Sequence, residues 1–598
     1  MKIGNKKYII GIAIFVLLFL ASFQAFMITA DKAFMSWPNY DQPYKPILPP
    51  VPLIEKTTPL SNHVVIIVID GARADIVEEA NTPNIDWIKK NGVWFADAYC
   101  FTPSFSLPGY STIGTGARPA ISGVVSNWHE NPVKIDNIFN ITLENNGTTA
   151  LATSSGWMTL FGPWITWNKT TSIEVEADEV IGPWAVELIQ NYQPTLLVVH
   201  LYDTDTAGHM KASALSDEYK TELEEADVQI GKIIDALNNT GILDETLLIV
   251  TSDHGFLNKG HHGGAEPESR HIVLTMRGPG IIGNNVVYDR VYQDLIAEVV
   301  CLFLGYRIPT GVTGKIHWEI FNIPLRIQAI YEINMAEIKF KQAKMLIEAF
   351  GYTDKYNSTL MEVKSKLDEA VDTYYYGDYA VACNKAEEAE RAAEDLIAFV
   401  KNLKHKEEVL LRLRLTVMLY IAIIVPIAVC IWKFKQSIDW IIPQIAFICM
   451  LGYFIGFWLS FAIQGWRFSV STIIDLNAFQ NGMMFSSIIG VIIGGVVGGF
   501  SPLILRKEKP WTKIVIASML GLLMALSINT IWISIYIVKW NVALDWYFPE
   551  NAAWNGAVVY YVLLLQNIFT SLFFAITPIT AVIITLLLSK TFITKRKQ

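Results

Sequence analysis

Thr246-Leu-Leu-Ile-Val-Thr251, continued by Ser252-Asp-His-Gly-Phe-Leu-Asn-Lys-Gly-His-His-Gly-Gly264, is the stretch whose reading decides the fold. The first part is an unbroken aliphatic and β-branched run with no polar alternation, the pattern of a strand buried on both faces. Such strands belong to parallel sheets covered by helices. Asp253 and His254 therefore leave the carboxyl end of a strand, where sheets of this kind put their chemistry. Adjacent carboxylate and imidazole groups suit a divalent ion, and His262 follows a short loop later. Asp-His-Gly by itself is a common loop tripeptide. Its weight comes from two other strand ends that carry matching parts.

Upstream, His63-Val-Val-Ile-Ile-Val-Ile69 is a second buried run and ends in Asp70-Gly71. Leu196-Leu-Val-Val199 is a third, running into His200-Leu-Tyr-Asp-Thr-Asp-Thr-Ala-Gly-His209. Between them, Thr82-Pro-Asn-Ile-Asp-Trp-Ile-Lys-Lys-Asn-Gly92 reads as a capped helix closed by glycine, and Ser216 to Leu237 as an amphipathic helix with a serine cap. Strands alternating with helices predict an α/β domain over residues 61–324, a mostly parallel sheet covered by helices on both faces.

The three strand ends combine into one set. Asp70 follows the first strand, and Asp205 and His209, four apart where the chain begins to turn helically, can point at one ion. Asp253, His254 and His262 complete three Asp and three His, enough for two metals with three protein ligands each and an open position on both. Two metals ~3.5–4 Å apart clamp the attacking and leaving oxygens of a phosphoryl displacement. Six such groups buried without ions would be prohibitive. One of His261 and His262 is assigned to metal; the other, His261, is left as a contact to a ligand or to substrate. For a nucleophile, Phe101-Thr-Pro-Ser-Phe-Ser-Leu-Pro-Gly-Tyr-Ser-Thr-Ile-Gly-Thr-Gly116 offers Thr102, Ser104, Ser106, Ser111, Thr112 and Thr115. Ser106 opens the Ser-Leu-Pro-Gly turn, ahead of a helix whose N–H groups would face an anion.

Of the 598 residues 52% are hydrophobic and only 17% charged, and the excess collects at the N-terminus and after residue 409. Lys2, Lys6 and Lys7 precede an apolar run from Tyr8 to about Ala30, long enough at ~1.5 Å per residue to cross a bilayer. Residues 1–32 therefore read as a transmembrane signal anchor; the competing cleaved signal peptide has a shorter apolar core. Residues 33–60 are a proline-rich linker, and 325–408 a helical stalk broken near Gly351 and Gly377. Five apolar spans follow within 409–590, at about 410–432, 438–463, 481–505, 512–538 and 557–589, and 591–598 is a basic tail. Lys433/Lys435, Arg506/Lys507/Lys509/Lys513 and Lys595/Arg596/Lys597 fall on alternate loops, the same side as the N-terminal lysines. The positive-inside rule then gives six spans, both termini cytoplasmic, and residues 31–409 outside the cytoplasm. The repeated glycines at 490–499 lack a following Lys-Ser/Thr and read as a helix-packing face.

A net charge of −9, with no dense Lys/Arg face away from the membrane flanks, excludes a nucleic-acid partner. Five cysteines without a Cys-x-x-Cys pair exclude a zinc ribbon; one disulfide among Cys100, Cys301 and Cys383 stays open. Asn140, Asn146, Asn168, Asn238 and Asn357 are glycosylation sequons, all in the exported part.

Taken in order, Val68-Ile-Asp-Gly-Ala-Arg73, Thr82-Pro-Asn-Ile-Asp86, the Ser106 turn, Thr115-Gly116, Asp205-Thr-Ala-Gly-His209, Ser252-Asp-His-Gly255 and His262-Gly263 resemble the alkaline phosphatase superfamily, in its type I phosphodiesterase/nucleotide pyrophosphatase branch. The resemblance covers residues about 63–320. It implies that Asp205, His209 and His262 hold one zinc, and that Asp70, Asp253 and His254 hold the other together with the Ser106 oxygen, manganese being the alternative metal. It further implies a phospho-serine intermediate. Nucleotide pyrophosphatases usually carry Asn after the proline of this turn, in contact with a phosphate oxygen. Here it is Gly109, entered as the corresponding substrate contact, and in that detail the turn is more similar to the GPI ethanolamine phosphate transferases. Tyr110 stands where sulfatases have arginine, which argues against that branch. The first reading is thus a membrane-anchored, extracytoplasmic phosphodiesterase acting on a phosphoester. The alternative is a transferase moving a phospho-alcohol group from lipid to a lipid-linked glycan, with the aromatic outer loops holding the lipid.

Overall fold

A computed structural model describes residues 20–21, 23–173, 176–437, 439–504 and 511–595. The chain forms two compact units, one of residues 37–407 with 545–554, the other of residues 1–36, 408–544 and 555–598. Most of the expected N-terminal anchor, the cations Arg506, Lys507 and Lys509, and the last residues of the tail lie outside the described residues.

In the first unit ten strands form: β1 His63–Ile69, β2 Val93–Phe95, β3 Ala98–Tyr99, β4 Thr149–Ser154, β5 Trp167–Thr171, β6 Leu196–Leu201, β7 Thr246–Thr251, β8 Leu274–Arg277, β9 Asn285–Val287 and β10 Val291–Tyr292. Eight of them make one sheet in the order β5-β4-β6-β1-β7-β8-β2-β9, while β3 and β10 pair separately. All pairings in the large sheet are parallel except those of β8 with β7 and with β2. The fold is the mostly parallel, helix-covered sheet that the sequence implied. Alternate residues of the central strands go to opposite faces, and both faces are buried. Val64, Ile66 and Val68 join one apolar cluster with Leu247 and Ile249. Val65, Ile67 and Ile69 join the other with Leu248 and Val250. At roughly 1.5–3 kcal/mol for each aliphatic side chain fully buried, this doubly covered register resists slippage. Since β6, β1 and β7 are neighbours, the three strand ends carrying Asp205, Asp70 and Asp253 converge on one rim.

The helix at Pro83–Lys90 forms as expected, but its cap is remote: the Asn84 and Ile85 N–H groups donate to Asp227 at 3.0 and 2.8 Å, while Thr82 turns to Val77 O. Ser216 does cap its helix, accepting from Tyr219 N–H at 3.2 Å. Cys100, Cys301 and Cys383 are buried free thiols, so no disulfide joins them.

Residues 325–408 break where the glycines stand, into helices Leu325–Ala349, Thr353–Tyr375 and Tyr379–Phe434. The first differs from a solvated spacer. Ile330, Tyr331, Ile333 and Ile338 are fully buried in the same apolar cluster as the sheet, so this helix covers the domain. The third continues unbroken through the first apolar span, to Phe434. The proline-rich segment is likewise packed and no free tether: Val51 is buried, and Gln42 Nε2 donates to Ala120 O and Trp546 O, both at 3.0 Å. Trp546 and Trp554 are buried within this same unit, Trp554 against Trp37 at 4.9 Å between rings. Trp546 and Trp554 are therefore engaged in packing, while Trp466 and Trp540 of the expected outer loops are half-buried.

Among the described residues, five helices are long and apolar enough to cross a membrane: Tyr379–Lys433, Ile441–Ile463, Leu476–Ser501, Lys513–Trp540 and Ala552–Leu572. The last apolar run departs from the expected single span, forming Ala552–Leu572 and then Ile576–Lys595. Pro578 lies in the first turn of the second helix, where a missing N–H costs nothing; further inside a continuous helix it would break the ladder. The glycine face packs helices as read: a Cβ on Gly498 would lie 2.4 Å from Cys449 Sγ, and one on Gly499 2.6 Å from Ile584 Cβ.

Candidate active site

Two trios assemble on the rim of β6, β1 and β7. Asp205, His209 and His262 form one, and Asp70, Asp253 and His254 the other, each with its ligand-type atoms within 4.8 Å of one another. In the first, His209 Nε2 lies 3.3 Å from Asp205 Oδ2 and 2.9 Å from His262 Nε2, which is 3.5 Å from Asp205 Oδ1. In the second, His254 Nε2 lies 3.3 Å from Asp70 Oδ1 and 3.4 Å from Asp253 Oδ2. The His254 and His262 rings stack at 3.7 Å, which joins the two trios.

The surroundings orient these groups. His254 Nδ1 is 3.0 Å from Gly255 O and His262 Nδ1 is 2.9 Å from Ser104 O. Each Nδ1–H is thereby taken by a carbonyl, and each Nε2 lone pair is left for the site. Gly71, at φ +70°, donates its N–H to Asp253 Oδ1 at 3.0 Å, and a Cβ there would meet Asp205 Oδ1 at 2.9 Å. Only glycine fits that approach.

Charge balance supports a cation at both trios. Burial drives the His254 imidazole down to about 4 and that of His262 to about 3, so both rings are neutral and able to ligate. Burial, and then the Asp70 carboxylate beside it, push Asp253 well above the ordinary range. Burial raises Asp70 as well, but the hydrogen bond to His200, with the His254 and Tyr110 interactions, holds it low. His209 loses to burial but gains more from Asp205 and ends raised. Among the described residues Asp70 Oδ1, Asp205 Oδ1 and Asp253 Oδ2 are buried without a hydrogen-bond partner. One orphaned oxygen on each aspartate, facing neutral imidazole nitrogens, is a donor set that could hold divalent ions.

Ser106 is the first residue of the helix Ser106–Thr115, and its Oγ lies 3.3 Å from His254 Nε2. Of the competing hydroxyls, Thr112 and Thr115 donate to carbonyls one turn back and Ser104 ties down Gly263 and Gly264, while Thr102 Oγ1 and Ser111 Oγ are buried without a hydrogen-bond partner among the described residues. The two residues expected at the substrate, Gly109 and His261, pack against members of the trios. The Gly109 N–H is spent on Phe105 O, and a Cβ at 109 would lie 2.7 Å from Asp253 Cβ. Its role is close approach of this helix to Asp253, and a larger residue there would point into the Asp253 backbone. His261 places Nδ1 3.1 Å from His209 Nδ1, so it orients a trio member from behind.

Three residues escaped the sequence reading. Asn127 places Nδ2 3.5 Å from Ser106 Oγ while its Oδ1 accepts from the Leu107 N–H at 3.0 Å. His200 Nε2 and the Tyr110 hydroxyl both meet Asp70 Oδ2, at 2.9 and 2.5 Å. In the sequence His200 marks only a strand end, and Tyr110 only the absence of an arginine. Asn127 gave no signal, because the loop that returns it to Ser106 has no periodic pattern.

Residues 64–160 and 153–262 match the family model for type I phosphodiesterase / nucleotide pyrophosphatase, so this part of the chain carries a domain of that kind. Curated relatives include a protein named GPI ethanolamine phosphate transferase 1 from Yarrowia lipolytica, 23% identical over 52% of this chain and 40% of its own length. The Homo sapiens protein of the same name is 25% identical over 49% of this chain and 36% of its own. The chain thus spans about two-fifths of the curated relatives it matches. Among solved structures, murine ectonucleotide pyrophosphatase/phosphodiesterase 5 aligns with 43% of this chain and 96% of its own at 14% identity and a TM-score of 0.36. A phosphonate monoester hydrolase of Agrobacterium radiobacter aligns with 42% of this chain and 75% of its own at 17% identity and a TM-score of 0.36.

Proposed function

We propose that the chain is a multi-pass membrane transferase that moves a phospho-alcohol group, of the phosphoethanolamine type, from a lipid donor to a lipid-linked glycan by way of Ser106. The observation that carries the chemistry is the Ser106 hydroxyl, at a helix N-terminus and 3.3 Å from His254 of one trio. The relatives' names favour transfer over hydrolysis, which reverses the order of the two readings drawn from the sequence.

Asp205, His209 and His262 would hold one divalent ion, and Asp70, Asp253 and His254 the other, zinc first and manganese as the alternative. Bound there, the two ions supply Lewis acidity to the oxygens that attack and leave phosphorus. Ser106 Oγ attacks the donor phosphodiester; the bond to the lipid alcohol breaks, and that alcohol leaves with the proton that the serine gives up. The product on the protein is a phosphodiester of Ser106. The Asn127 amide and the N-terminus of the Ser106 helix stabilise the non-bridging oxygens. An acceptor hydroxyl then attacks the same phosphorus, and its proton returns to Ser106. Tyr110 and His200 hold Asp70, and His261 holds His209, through both steps.

Helices long enough to cross a membrane suit lipid-borne substrates. Lysine-bearing loops and both termini are assigned to the cytoplasm, and residues 31–409 to the opposite side. The test supplies the purified full chain with a lipid phosphodiester labelled in its head group, with and without a lipid-linked glycan acceptor. Acceptor-dependent loss of lipid label supports transfer. Equal release of free head-group phosphate without acceptor would instead support the hydrolase.

A further inference from the structure

The loop that carries Asn127 also builds a cleft beside it. Residues 122–134 meet the segment 38–45 around a cavity of about 190 Å³, all within the first unit. Its floor is pinned: the buried Tyr40 donates its hydroxyl to Ala120 O at 3.4 Å, and Gln42 Nε2 donates to the same carbonyl at 3.0 Å. His129 lines the cleft two residues after Asn127, so their Cα atoms lie within about 7 Å of each other. Between them Trp128 is 56% exposed. Its ring stands 6.2 Å from that of Trp37, which is buried and backed in turn by Trp554 at 4.9 Å. An exposed indole braced by a second one, next in sequence to the residue that touches Ser106, is a platform on which a flat ligand can stack.

The charges of the cleft select what stacks there. Lys45 and Lys134 both pair with Asp41, the second at 3.4 Å, so two ammonium groups share one carboxylate. A cationic ligand is repelled by the two lysines, and an anionic one meets Asp41. His129 adds a demand of its own. Burial lowers its imidazole and keeps the ring neutral, and the ring is hydrogen-bonded to the Asn131 backbone. Its Nε2 is buried with no hydrogen-bond partner among the described residues. A neutral imidazole that gives its single N–H to a carbonyl keeps a lone pair on the other nitrogen, and that lone pair calls for a donor. Phosphate and carboxylate bring acceptors only. A hydroxyl brings donor and acceptor together and carries no charge.

We infer that this cleft, with Trp128 at its edge, is the subsite for one sugar ring of the acceptor glycan. The assignment rests on the transferase reading above and adds to it the place where the glycan docks. Ring hydroxyls donate to His129 Nε2 and Asp41 and accept from Lys134, while the apolar face of the ring lies on Trp128. The position has a consequence for the outcome of the reaction. A sugar held two residues from Asn127 presents a hydroxyl to the phosphodiester on Ser106 at a high effective concentration, in competition with water. The cleft thereby favours transfer over hydrolysis.

The experiment uses the purified, zinc-loaded full chain in a detergent without a sugar head group, as wild type, Trp128→Ala, Trp128→Phe and His129→Leu. Binding of a set of methyl hexopyranosides is measured by calorimetry. Formation of the Ser106 adduct from labelled lipid, and its discharge by a lipid-linked glycan, are timed separately. Trp128→Ala and His129→Leu are expected to weaken glycoside binding and raise the KM for the glycan, each by about tenfold. Trp128→Phe should recover most of the loss, and adduct formation should keep its wild-type rate in all three. Absence of glycoside binding to the wild type, or equal binding to wild type and Trp128→Ala, would overturn the inference. So would variants that slow adduct formation as much as discharge, since the loop would then serve the donor. The transferase reading fails on a different result, label released from the wild-type adduct equally with and without glycan, whatever the glycosides do.

Discussion

At the scale of single residues, the account turns on which atoms face Ser106. Asn127 Nδ2 is the side-chain donor beside it, 3.5 Å from Oγ, so Asn127→Ala should lower kcat by about 10²–10³-fold. Zinc content should stay unchanged, since Asn127 touches neither trio; steady-state kinetics beside elemental analysis checks both. His261 acts through His209, so His261→Ala should weaken zinc binding by about 10–100-fold, measured by competition with a chelator. Asp70, Asp253 and His254 were legible because they leave buried strands directly, and buried strands announce themselves as aliphatic runs; Asp205, His209 and His262 follow on the next helix or loop. At Gly109 the motif position shows what residue is present and hides what it faces. Only the 2.7 Å approach to Asp253 makes glycine necessary there.

At the scale of elements, the helix Leu325–Ala349 shows where charge patterns mislead. Its scattered acids suggested a solvated face, yet Glu332 is 6% exposed. Burial pushes its carboxyl up to about 7 from an ordinary 4.5, against a hydrogen bond from the Trp318 indole. An acid raised in the folded state stabilises the fold below its unfolded value and loses that contribution as pH climbs through the folded one. The seating of this helix should therefore weaken between about pH 4.5 and 7. Glu332→Gln should raise the melting temperature at pH 8 and leave it little changed at pH 4, read by thermal unfolding at the two pH values. The last apolar run shows a different limit. Hydropathy sums over residues 557–589 and overlooks Pro578, whose ring sets where the second helix can start.

At the scale of the whole molecule, the two units divide the work expected of an enzyme for lipid-borne substrates: one carries the rim of trios, the other supplies helices able to cross a membrane. Composition made this division legible, since the apolar excess collects in two places. What the sequence left open was that the proline-rich segment, the loop 545–554 and the helices after residue 325 are all built into the catalytic unit. Long-range packing of that kind has no periodic signature. If residues 31–409 are extracytoplasmic as assigned, Asn357 and the other sequons should be modified when the chain is made with microsomes. Protease protection of that whole stretch, with an accessible tail, should accompany the modification.

The central claim is that Ser106 carries the phospho-alcohol group between donor and acceptor. The most direct measurement quenches the zinc-loaded full chain after mixing with a head-group-labelled lipid phosphodiester and maps the label by peptide mass spectrometry, beside Ser106→Ala. The account predicts a phosphodiester adduct on Ser106 that disappears when a lipid-linked glycan is added, and no adduct or turnover in the variant. Label on another residue, or turnover that survives in Ser106→Ala, would contradict it.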